Sequence, residues 1–306
     1  MTLQATRSIV VPDDNKRARI PQRTRTDRGR RAVGSVLFHV VSIAVLIVLL
    51  YPAAWMVLSA FKPSGDIIGN VSLIPETWTL ENFEQVFQGI AGMSFWRFAW
   101  NSLVLAVLTV VGVCLSSSVT AYAFARIDFR GRGAWFALMI GTLLLPFHVV
   151  IIPQYIVFNQ LHLINTFTPL LIGRFLATEA FFVFLLVQFM RSVPRDLDEA
   201  ARIDGAGHVR IFTTIMLPLM RPALVTCAIF AFLNSWNDFF GPLLYLKSPD
   251  LYPLPIALRL YIDSTSASNF GAQMAMAVLS LLPVLLFFLI FQRYIVGGIA
   301  TSGLKG

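Results

Sequence analysis

Apolar and polar positions along this chain fall in long blocks. Six apolar runs, near Ser35–Ala60, Asn101–Phe124, Ala134–Val157, Pro169–Met190, Pro222–Leu246 and Gln273–Gln292, each reach the roughly 20 residues a helix needs to cross a hydrocarbon core. They predict helices, because backbone in lipid must satisfy its own hydrogen bonds. The third run contains Pro146 and Pro153, which a membrane helix accommodates as kinks. The expected fold is an all-α integral membrane protein with six transmembrane helices.

A polar island, residues 191–221, separates the fourth run from the fifth. Asp196 and Glu199 have capping-box spacing, and Asp198 adds negative charge where the helix dipole favours it. A short helix is expected from about Leu197 to Asp204, with Gly205 at a left-handed stop and Gly207 loosening the turn. A second short helix fits from His208 onward, with Phe212, Ile215, Met216 and Leu219 as an apolar stripe. Pro218 and Pro222 bend or end it before the fifth run. Two short helices around Gly205 make a helix-turn-helix knob suited to docking. Local physics equally allows acids that only cap and a stripe that only packs on its own bundle.

Composition supports the membrane class. With 57% hydrophobic and 13% charged residues and a mean hydropathy of +0.72, the chain carries more apolar surface than one soluble core needs. The net charge of +8 would suggest nucleic acid if the basic residues formed a face. They instead cluster between apolar runs, which indicates topology and excludes a nucleic-acid partner. Nine Lys/Arg fall in residues 1–32, three near Arg126, five from Arg191 to Arg221 and two at the C-terminal end, nineteen in all. The alternate links hold four, and Arg174 lies inside a run. Both termini and the 191–221 loop are therefore expected in the cytoplasm, with residues 1–32 a basic, disordered tail and residues 33–306 a six-span transmembrane domain. The run from Val33 to Ala60 is too long for a signal-peptide core and no small-residue cleavage site follows it. Cys114 and Cys227 lie in apolar runs and read as small core residues. In the first outer link Trp78, Phe83, Phe87, Phe95 and Trp96 suit headgroup anchoring, with docking of an external partner as the alternative.

Ionisable residues inside spans are costly. Arg174 and Glu179, five apart, do not share one helix face; Arg174 is expected to snorkel outward and Glu179 to face the bundle interior or a wet cavity. Asn234, Trp236, Asn237 and Asp238 form a polar cluster in the fifth run, suited to helix–helix hydrogen bonding or to lining a path for a hydrophilic solute. An ion-coupled transporter would want paired midplane carboxylates and internal repeats, and only Glu179 is present, without duplication. An intramembrane hydrolase would need Ser116, Ser117 or Ser118 beside His148, a geometry that sequence cannot supply, and hydroxyls in spans commonly pack helices.

Glu199-Ala200-Ala201, Gly205 and Ile215-x-Leu217-Pro218 together match a signature, and the chain resembles the inner-membrane permease subunits of binding-protein-dependent ABC importers. Val193-Pro194-Arg195-Asp196-Leu197-Asp198, Ile203-Asp204-Gly205-Ala206, Ser59-Phe61-Lys62-Pro63, Trp236-Asn237-Asp238-Phe239 and the terminal Gly303-Leu304-Lys305-Gly306 look like the carbohydrate-uptake, MalG-like branch. The long basic tail departs from that pattern. The resemblance implies a type I permease fold that forms a heterodimer with a second permease and works with two cytoplasmic ATPase subunits and an extracytoplasmic binding protein. It implies coupling through Glu199, Ala200, Ala201, Asp204, Gly205, Ile215, Leu217 and Pro218. Gly298–Lys305 lacks the Gly-Lys-Ser/Thr ending of a phosphate-cradling loop, so the chain is expected to bind no cofactor, and ATP and Mg are expected on the partner ATPase.

Overall fold

The computed structural model describes residues 25–67, 69, 72–263 and 270–303. It comprises two units, Met1–Ala53 and Ala54–Gly306. Helix α1 (Arg25–Ser59) begins inside the stretch expected to be a disordered tail. Only residues 1–24 of that tail lie outside the described residues. From Val36 to Leu50 its large apolar side chains are exposed, as a lipid-facing segment requires.

In the second unit, α2 (Ser64–Ile67) and α3 (Glu81–Gln88) belong to the first outer link. Buried Asn82 organises it by donating to the carbonyls of Ala60 at 2.8 Å and Lys62 at 2.7 Å, while Ser64 Oγ donates to its Oδ1 at 3.1 Å. The link's aromatic rings pack on one another: Phe61 on Phe83 at 5.0 Å and Phe87 on Trp96 at 6.0 Å between centroids. Helix α4 (Phe95–Arg126) is the central pillar. Small residues Ala106, Ser117 and Ala121 on its buried side let neighbouring helices approach closely, the usual device where lipid offers no hydrophobic drive between helices.

The third, fourth and fifth apolar runs are broken, where kinks were expected only in the third. The third is α5 (Arg132–Thr142) and α6 (Phe147–Gln160), separated at Leu143–Pro146, because Pro146 lacks an N–H and disfavours helix in the residue before it. The fourth is α7 (Thr168–Phe175) and α8 (Ala180–Ser192), interrupted by Ala177 at φ +55°. After α9 (Asp196–Ile203), α10 (His208–Ile211), a wide π-turn over Phe212–Met216 and α11 (Leu217–Leu219), the chain bends by 75° into α12 (Arg221–Trp236). The fifth span breaks again before α13 (Phe240–Tyr245). Helix α14 (Leu254–Asp263) lies in the last outer link, and α15 (Phe270–Gly303) closes the unit. Among the described residues four stretches are long and apolar enough to cross a bilayer, within α1, α4 and α15 and across α7 and α8 taken together, and a fifth if the bent pair is one span.

One buried cluster joins Val113 and Tyr122 of α4 to Leu186 and Met190 of α8 and to Ile211, Met216 and Met220. A second joins Phe98 to Phe232, Trp236, Leu254, Ala257 and Met276. Gly271 at the start of α15 sits against Asn82, where an added Cβ would come within 2.1 Å of Oδ1. Since that amide is held by three hydrogen bonds, Gly271→Ala is expected to cost about 1–3 kcal/mol as overpacking, read as a melting temperature several degrees lower in detergent; an unchanged value would show that the outer link yields.

Candidate functional site: a knob on the polar loop and three helix breaks

The knob forms as two short elements around Gly205, which takes φ +80°. Gly205 N–H donates to Arg202 O at 3.0 Å and Ala206 N–H to Ala201 O at 2.9 Å, the paired bonds of a glycine-terminated helix. Three local expectations change. The helix begins at Asp196, with Arg195 at its cap position and no side-chain cap bond, so Asp196 and Glu199 form no capping box. Asp198 lies buried instead of decorating the helix end. The π-turn inserts an extra residue, so Ile211, Met216 and Met220 are the fully buried positions and Leu219 is left exposed, with Phe212 and Ile215 packed at the margin.

The anchor of the knob is Arg126, until now only one of the topology charges. Its guanidinium donates to Met190 O and Val193 O, each at 2.8 Å, and faces Asp198 Oδ2 at 3.4 Å with side chains 2% and 7% exposed. Tyr122 adds an oxygen–nitrogen contact of 3.2 Å to His208 Nδ1 and packs its ring on Phe212. The outer face of the knob is then apolar in an unusual way: Ile203 is 87% and Val209 77% exposed. Glu199, Ala200, Asp204, Gly205 and Pro218 are also exposed, Ala201 is buried, and Ile215 and Leu217 are half-buried. Sequence reasoning missed Arg126, Asp198 and Tyr122 as partners. The available signal was that Asp198 shares a helix face with Ala201, three residues on.

The second group of candidates gathers at the breaks. The turn at Ala177 folds Glu179 back onto Arg174, and the two form an ion pair with side chains 21% and 33% exposed. The expectation that Arg174 snorkels outward is corrected: a helix would have held the two apart, and the break brings them together. Gly112 makes room for this break, since a Cβ there would come within 2.9 Å of the Phe175 ring, and Ser116 Oγ donates to Arg174 O at 2.7 Å. Asp238 accepts from Gly241 N–H at 3.0 Å in the α12–α13 break and lies within electrostatic reach of Arg174 and Glu179. Asn234 and Asn237 are exposed, and the cluster lies at the end of α12, which stops at Trp236. Trp236 is buried and donates from Nε1 to Ser280 O at 3.1 Å. Ser118 Oγ donates to Leu115 O at 3.0 Å, and His148 packs at the edge of Phe240. Cys227 is buried and Cys114 half-buried, both with free thiols.

A bundle of broken membrane helices with a rigid knob on its polar loop defines a multi-pass membrane transport component. Residues 112–301 match the family described as the binding-protein-dependent transport system inner membrane component, and the chain belongs to that family. It is a transport subunit rather than an enzyme, and such subunits work with a solute-binding protein and an ATPase. It is 36% identical over 86% of its length to an arabinooligosaccharide transport permease of Halalkalibacterium halodurans, of which it covers 93%. It is 31% identical to a diacetylchitobiose uptake permease of Streptomyces coelicolor, covering 90% of each chain. A trehalose/maltose transport permease of Thermococcus litoralis is 30% identical over 89% of this chain and 97% of that one. A crystal structure of a bacterial ABC transporter involved in import of the acidic polysaccharide alginate aligns with a TM-score of 0.76 at 23% identity, covering 90% of this chain and 99% of that chain, and shares the fold.

Proposed function

We infer that this chain is the permease subunit of an ATP-driven carbohydrate importer, in which it pairs with a second permease, receives solute from an extracytoplasmic binding protein and is driven through the knob by a cytoplasmic ATPase. The observation that carries the coupling role is the pair of exposed apolar tips, Ile203 and Val209, on a loop whose base is fixed by a buried ion pair. Exposed apolar side chains on an otherwise polar loop support a protein contact there, and the same loop carries Glu199, Ala200, Asp204, Gly205 and Pro218, which are exposed, and Ala201, Ile215 and Leu217, which are not. The chain holds no cofactor in this scheme; ATP and Mg stay on the ATPase, and both termini lie on its side of the membrane. The carbohydrate class is supported by relatives named for oligosaccharide and disaccharide transport. Asn234 and Asn237 offer amides to hydroxyl groups, and Glu179 and Asp238 stand at breaks where unpaired backbone groups can line a wet path.

The solute class is tested by thermal shift of the cognate binding protein against mono-, di- and oligosaccharides. Stabilisation by a sugar supports the assignment, and stabilisation only by amino acids, peptides or oxyanions removes it. Asn234→Leu or Asn237→Leu is expected to alter uptake severalfold while the ATPase subunits still co-purify. Unchanged uptake kinetics for every sugar tested would return these residues to helix packing.

A further inference from the structure

Three of the apolar runs break, and the halves of those runs that lie away from the knob, α6, α7 and α13, meet beside Asn165. This half-buried residue stands in the turn between α6 and α7 at φ +64°, a left-handed backbone that asparagine tolerates better than most side chains. Its Oδ1 accepts from the successive N–H groups of Lys247 and Ser248 at 2.9 and 3.0 Å, and its Nδ2 donates to Ser248 Oγ at 2.8 Å. Its own N–H donates to Tyr245 O at 2.7 Å. One residue thus grips the end of α13 and the two positions beyond it.

The same end of α13 is held from α6 and α7. The Tyr245 ring stacks on Tyr155 of α6 and meets Phe158 edge-on, with centroids 6.1 and 5.7 Å apart. Gly241 lies close to α7, since a Cβ there would come within 3.0 Å of Leu170 Cδ2. Helices α7 and α13 have eight and six residues between this junction and their breaks, about 12 and 9 Å at 1.5 Å per residue. The two breaks therefore lie at similar depth, where Asp238 comes within electrostatic reach of Arg174 and Glu179.

We propose that α6, α7 and α13 form one body that tilts as a unit about the three helix breaks during transport, with Asn165 the positioning residue that unites them. The inference rests on the ATP-driven reading of this chain. Hinges form where element ends absorb changes in φ and ψ, and each of these three helices has one end at a break. Three separate hinges would bend independently. The Asn165 bonds and the close-packed rings beneath them make the three bend together, because packed side chains shift between discrete arrangements instead of yielding gradually.

The assembled transporter, with Cys114 and Cys227 replaced, is spin-labelled at two pairs of exposed positions and measured with and without a non-hydrolysable ATP analogue. One pair, Gln160→Cys/Lys247→Cys, lies within the body; the other, Arg221→Cys/Lys247→Cys, spans the break of the fifth run. In the parent the analogue shifts the 221–247 distance and leaves the 160–247 distance narrow and unchanged. Asn165→Gly keeps the left-handed backbone and deletes the carboxamide, so the 160–247 distribution is expected to broaden about twofold or more and to become dependent on the analogue. Asn165→Asp keeps the acceptor and tolerates the backbone, and restores the narrow distance. A purely local packing role would lower the melting temperature and leave the 160–247 distance independent of nucleotide. An analogue-driven change of that distance in the parent, which needs no variant to assemble, or an Asn165→Gly variant with the parent's distribution, overturns the joint alone. A parent without any 221–247 shift sinks the ATP-driven reading, and the inference falls with it.

Discussion

Gly205→Val is expected to separate ATP hydrolysis from uptake: the assembled transporter keeps hydrolysing ATP while solute accumulation falls about tenfold or more. The residue takes φ +80° to end α9, and no atom lies within 4 Å of where a Cβ would sit. The penalty is therefore conformational, about 1–3 kcal/mol for holding a non-glycine residue there, and higher for a β-branched one. The knob relieves that strain by re-aiming α9 and α10, which displaces Ile203 and Val209. Asparagine tolerates left-handed backbone, so Gly205→Asn is expected to retain most of the uptake. Paired uptake and ATPase assays on the two variants decide the matter: equal losses would place the fault in a surface contact and not in the backbone.

Arg174→Met is expected to be more damaging than the double substitution Arg174→Met/Glu179→Gln. The single change leaves Glu179 at a helix break inside the membrane without its partner. A charge at such depth costs about 3 kcal/mol on insertion scales, enough to lower assembled yield and to disturb the break that Ser116 holds through Arg174 O. Neutralising both residues removes the stranded charge, the pattern expected when a paired ion is desolvated. Detergent melting curves and purified yield rank the two variants, and a double variant worse than the single would show that Glu179 serves the path by its own charge.

The periodic features were legible along the chain. Apolar runs of spanning length predicted membrane helices, and α1, α4 and α15 run continuously through three of them. The glycine stop at Gly205 was legible because only a residue without a Cβ commonly takes that backbone conformation. The breaks were partly legible. Pro146 marks the one in the third span, whereas nothing in Gly173–Thr178 distinguishes a kink from a helix by composition. That segment turns because Gly112 admits Phe175 against α4 and because Thr178 N–H and its hydroxyl both donate to Gly173 O.

The candidate site divides in the same way. Glu199, Ala200 and Gly205 announce a structured polar loop by local chemistry, but which acid is structural is a tertiary matter. Asp196, Asp198 and Glu199 are indistinguishable as first-turn acids, and only Asp198 faces Arg126, 72 positions earlier in the chain. The π-turn likewise moved the buried stripe to Ile211, Met216 and Met220, a register change that 3.6-residue periodicity cannot anticipate.

By itself the sequence determined the membrane class, the long apolar helices and the position of the polar knob, because each depends on the local match between residue type and solvent. Only the tertiary structure decided which charges are buried and paired, Arg126 with Asp198 and Arg174 with Glu179. The energy of a buried charge depends on what lies within a few ångströms in space, and helix breaks and chain returns set that distance independently of separation along the chain.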